Sequence, residues 1–83
     1  MNGKVSKSQD GIISSYHSDL EFLPEPNEEW TRSEYREEFE NSRIGAMKLS
    51  HYNIIRKQGK RGGSTVWRTD SECYERLQDY VSK

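Results

Sequence analysis

The stretch from Ser42 to Thr69 carries seven basic side chains (Arg43, Lys48, Arg56, Lys57, Lys60, Arg61 and Arg68) and not one Asp or Glu. Its second half restricts the fold more than any other part of the chain. Ile54-Ile55-Arg56-Lys57-Gln58 and Ser64-Thr65-Val66-Trp67-Arg68-Thr69 are β-prone runs, and Gly59-Lys60-Arg61-Gly62-Gly63 lies between them. Two such runs around a glycine-rich segment predict a β-hairpin. The glycines permit positive φ at the bend, which leaves Lys60 and Arg61 at a cationic tip.

Outside this stretch the chain is acidic. Residues 1–41 hold ten acids against four bases, and residues 70–83 hold four against two, so the formal net charge of −1 conceals strong polarisation. Segregation of this kind points to a charged partner. The 83 residues make one small domain with a small core. Two Trp, five Tyr and two Phe supply buriable area in large units and argue against full disorder. The single cysteine, Cys73, excludes an internal disulfide framework. No apolar run approaches the ~18 residues that cross a bilayer, and no signal-peptide pattern is present, so a soluble, cytoplasmic protein without membrane partners is expected.

Taken in order, residues 1–27 read as a flexible or extended N-terminal arm and residues 28–83 as the folded domain. Asp19-Leu20-Glu21-Phe22 alternates briefly. It fits an extended linker whose Leu20 and Phe22 pack on the domain, a strand joining the hairpin, or a partner-binding motif. Pro24 and Pro26 close that segment. Thr31-Arg32-Ser33-Glu34 has capping-box form, and Trp30 and Tyr35 occupy the two positions of a hydrophobic staple, which predicts a helix over about 32–40. Ser42 is suited to cap a second helix running to about Tyr52. On that wheel Ile44, Met47, Leu49 and Tyr52 share the broad buried side, and Arg43, Ala46, Ser50 and Asn53 share the opposite one. Ile54 and Ile55 end this helix or begin the strand. Thr69-Asp70-Ser71-Glu72 is a second capping box, followed by Cys73, Leu77, Tyr80 and Val81 on one apolar face, which predicts a helix over about 70–82.

The order helix, turn, helix, basic glycine-rich hairpin, helix resembles a winged helix-turn-helix DNA-binding domain over about residues 31–82. The segment from Tyr52 to Thr69 carries the resemblance, with Ala46-Met47-Lys48-Leu49-Ser50 similar to the Ala-x-x-Leu run of that superfamily. The resemblance implies an α+β, mostly helical winged-helix fold that binds double-stranded DNA as a small transcriptional regulator. The helix-turn-helix stretch is short, so either Ser42–Tyr52 is itself the recognition helix, the preferred reading, or the chain is a compact variant like the excisionases. In this frame Arg43, Ser50 and Asn53 face a groove, with Ala46 small enough to admit base edges. Lys48, Arg56, Lys57, Lys60, Arg61 and Arg68 contact phosphate and fix register. His51 reads first as a surface residue and second as a phosphate contact. One short domain reads few base pairs, so a homodimer through the last helix or the N-terminal arm is expected.

Blander readings apply to several of these residues. Trp67 fits the core of a β-ribbon better than a stacking platform, and Cys73 fits a small core residue. His17 and His51 lack zinc-ligand spacing. No nucleophile elbow, phosphate loop or paired catalytic carboxylates occur, so neither an enzyme nor a bound cofactor is expected. A second class of function stands beside DNA binding: a protein-interaction module, such as a small viral or plasmid-borne inhibitor, offering Leu20, Phe22, Leu23 and Trp30 from its acidic half.

Overall fold

A computed structural model describes the backbone of residues 2–82 and the side chains of 9–82. The chain forms an α+β domain, about half helical, in the order α1 (Asn2–Tyr16), a 3-10 turn (His17–Leu20), β1 (Glu29–Thr31), a second 3-10 turn (Arg32–Tyr35), α2 (Arg36–Asn41), α3 (Ala46–His51), β2 (Ile55–Arg61), β3 (Ser64–Thr69) and α4 (Ser71–Ser82). The three strands make one antiparallel sheet in the order β1-β3-β2. No described helix is long and apolar enough to cross a membrane.

The hairpin forms where the two β-prone runs predict it. Gly62 (φ 56°) and Gly63 (φ 86°) both have the positive φ that a type I′ two-residue turn needs. The register slips between Lys57 and Gly59, so Gln58 is bulged out. The third strand is Glu29–Thr31, which pairs Trp30 with Trp67; Asp19–Phe22 is not a strand but lies in and just after the first 3-10 turn.

At the second 3-10 turn the capping box forms as expected, with the Thr31 backbone N–H donating to Glu34 Oε1 at 2.7 Å. The staple forms as well, with the Trp30 and Tyr35 rings edge to face at 5.5 Å. Phe39 then stacks on Trp30 at 5.9 Å, joining α2 to the sheet.

Three expectations are corrected. First, the N-terminal segment is not an extended arm. Its backbone is helical over Asn2–Tyr16, Ile13 is only 1% exposed, and Leu20 and Leu23 are buried. Gly3 and Gly11 lower the helix propensity of this segment, and tertiary contacts override it. The buried Gln9 donates through Nε2 to the Tyr52 carbonyl at 2.8 Å and accepts from Arg76 at 2.7 Å, which ties α1 to α3 and α4.

Second, α3 starts three residues later than the Ser42 signal suggests, with its N-cap at 45 and not 42. Ser42 instead closes a local turn, its hydroxyl donating to the Ile44 carbonyl at 2.8 Å and accepting from the Ile44 N–H at 3.1 Å. Gly45, with extended backbone, becomes the N-cap. Leu49 faces the core as expected, but Ala46 is buried and Met47 is exposed, the reverse of their places on the wheel drawn from Ser42. Third, α4 is capped by Asp70 rather than Thr69. Asp70 Oδ2 accepts from the Cys73 N–H at 3.1 Å, while Thr69 remains in β3. Cys73 and Leu77 carry the buried face of α4, as their spacing predicts, whereas Tyr80 and Val81, expected on the same face, are exposed. Burial, aided by the nearby Asp70 charge, pushes the Cys73 thiol up to about 12.

Candidate nucleic-acid interface

Antiparallel register decides which cations of the hairpin can act together, because directly paired residues project to the same face of the sheet. Arg56 pairs with Arg68, which pairs with Glu29, so these three share one face. Lys57 pairs with Trp67 and Lys60 with Thr65, and these lie on the other face, where Trp67 and Trp30 meet the helices. The bulge at Gln58 keeps Lys57 and Lys60 on a common face despite their odd spacing. Its neighbour Gly59 has φ 155°, a conformation that other residues rarely adopt.

The two faces differ in charge. On the outer face Arg68 binds Glu29 Oε2 at 3.2 Å, and Arg61 approaches Glu29 Oε1 at 3.9 Å. Arg56 binds Asp70 Oδ1 at 2.8 Å. Burial pushes the Asp70 carboxyl up, but Arg56 and the Cys73 N–H outweigh it and hold the group below the ordinary carboxylate range. The outer arginines are thus largely neutralised within the fold. On the inner face Lys57 and Lys60 have no acid among the described residues within ion-pair distance.

Arg43 does not reach this surface. It is bound to Asp19 Oδ2 at 2.8 Å, donates to the Ser15 carbonyl at 3.2 Å and lies over the Tyr16 ring at 5.2 Å. The guanidinium holds the Asp19 carboxyl below its ordinary range. Asn53 is likewise occupied by structure. With φ 62° it takes the left-handed position after α3, its N–H donating to the Ser50 carbonyl at 3.0 Å while the Ile54 N–H donates to the Leu49 carbonyl at 2.9 Å. That pair of bonds is a Schellman motif, sealed by contact between the buried Ile54 and Leu49. Ser50 is half-buried. The residues expected to read bases are therefore dispersed, because their grouping depended on a helix starting at Ser42.

The solvent side of α3 consists instead of Met47, Lys48 and His51. Beside it a groove of about 730 Å³ opens between α2, the start of α3 and the inner face of the hairpin. Its lining includes Arg32, Arg36 and Glu40 from the α2 side, Ala46 and Met47 from α3, and Thr65 and Trp67 from β3. Arg36 is bound to Glu40 at 3.3 Å on the exposed side of α2. Arg32, Arg36 and Met47 were not among the expected contacts. Met47, His51 and Lys48 share one arc of about 100° on a helical wheel wherever it starts, and that grouping is the signal that could have found this face. Among the described residues no group of three or more His, Cys, Asp or Glu is arranged to hold a metal ion. No protein-family model, curated protein or solved structure matches this chain.

Proposed function

We propose that this chain binds double-stranded DNA as a small winged-helix transcriptional regulator, with α3 in the major groove and the hairpin as a wing along the backbone. The observation that carries this reading is the sorting of charge by sheet face. Lys57 and Lys60 project unpaired from the side of the hairpin that meets α3, while the arginines on the far side are held by Glu29 and Asp70. Lys48, which has no ion pair among the described residues, adds charge on α3; Arg32 borders the adjacent groove, where Arg36 is already paired with Glu40. Cations left without protein partners on one connected surface are what phosphate binding requires. The succession of α2, a short connection, α3 and the basic hairpin supports the same reading.

The protein-interaction reading loses its starting point, since Leu20, Leu23 and Trp30 are buried and Phe22 packs edge-on against Phe39 at 4.9 Å. Duplex titrations followed by fluorescence anisotropy at several salt concentrations test the proposal. Affinity should fall steeply as salt rises, and Lys48→Ala, Lys57→Ala and Lys60→Ala should each lower the salt slope by about one unit. Arg43→Ala and Arg68→Ala should leave that slope nearly unchanged. Equal losses for the outer arginines and the inner lysines would refute the assignment of faces, and no binding at low ionic strength would refute DNA binding.

A further inference from the structure

Met47 is the most exposed large apolar side chain described, 80% accessible. It stands beside Lys48 and His51 on α3, at the edge of the groove that Arg32, Arg36 and Glu40 also line. Its exposure serves no packing purpose, because the buried face of α3 is made by Ala46 and Leu49. Of the polar side chains that could read purine edges, Arg43 is held by Asp19, and Asn53 lies beyond α3, at the left-handed residue that ends it. What remains on the solvent face of α3 is one flexible apolar side chain and two potential cations.

On the reading that this surface binds duplex DNA, we infer that Met47 is the principal base reader and that it recognises the 5-methyl group of thymine in the major groove. Thymine is the only base that presents a methyl there, and apolar side chains discriminate it by contact. Lys48, Lys57 and Lys60 complement the phosphates and bring the apolar tip against the base edges. The thioether adapts its shape more readily than a branched side chain, so it can follow the methyl groups of successive thymines.

The test replaces thymine by deoxyuridine, which removes the methyl and keeps Watson–Crick pairing. Duplexes selected by the native protein from a random pool are synthesised in both forms and titrated at low salt against native protein, Met47→Ala, Met47→Leu and Met47→Gln. The native protein should lose about three- to fivefold in affinity for each contacted methyl removed, as burial of one methyl-sized group implies. Met47→Leu should keep most of that discrimination, whereas Met47→Ala and Met47→Gln should bind both forms almost equally. Folding is not in question, since the side chain is exposed. Binding without discrimination by the native protein, or discrimination that survives in Met47→Ala, overturns the inference and leaves DNA binding standing. Failure of the native protein to bind any duplex at low salt overturns both.

Discussion

Asn53 shows how one side chain can suit two roles and be used for one. Its amide can hydrogen-bond adenine, but its backbone has φ 62°, where a side chain costs about 1–2 kcal/mol unless the residue is Gly, Asn or Asp. Asn53→Gly should therefore match or slightly exceed native stability in urea denaturation, while Asn53→Val should lose about 1–2 kcal/mol. A groove-reading asparagine would show itself in Asn53→Gly, which keeps the backbone conformation, as a loss of DNA binding without a loss of stability. The positive φ was not legible in the sequence because it depends on where α3 ends. The partner of Arg43 was equally hidden, since Asp19 is 24 positions away and only the fold brings the two together. Contacts within one turn of chain were readable: Thr31 with Glu34, and Trp30 with Tyr35.

At the scale of elements, α4 depends on a residue with two tasks. Asp70 caps the helix through the Cys73 N–H and pins β2 through Arg56. Its carboxyl titrates below the ordinary range in the folded state, so the stabilisation it provides is complete above the unfolded value near 3.9 and fades as pH falls through the lower folded value. Asp70→Asn preserves a capping oxygen and removes the charge. It should be less stable than native protein at neutral pH by under about 1 kcal/mol, given the exposure of Arg56, and the gap should close as pH falls through the lowered folded value. Asp70→Ala should cost about 1 kcal/mol more at neutral pH through loss of the cap. Thermal denaturation across pH compares the three. The hairpin was legible because its glycines and β-prone runs are local signals. The start of α3 was not, because Ser42 supplies a helix-capping side chain to a turn that ends before the helix begins.

For the molecule as a whole, α1 changes what the domain is. Its sequence has little periodicity, and its place is secured by Ile13 in the core and by Gln9 between Tyr52 and Arg76. Ile13→Ala should cost about 2–5 kcal/mol, a large part of the stability of so small a domain, and should shift a single cooperative urea transition. A loosely attached arm would leave that midpoint where it was. Ion pairs also sort the molecule into surfaces: Glu29 and Asp70 quench the outer side of the sheet, Asp19 retains Arg43 near α1, and the inner lysines are left unquenched.

The strand order gives those lysines a further consequence. With β3 in the centre, β2 lies at the margin of the sheet, and one row of its backbone groups has no neighbouring strand. Such a margin is a template on which another chain can add and begin self-assembly. Lysines along β2 and the kink at Gln58 discourage that addition, because a second copy would bring like charges together along a strand that is not straight. The side chains offered to phosphate therefore also keep copies of the domain apart in solution, and a variant stripped of them for binding studies gives up some of its protection against aggregation along with its affinity.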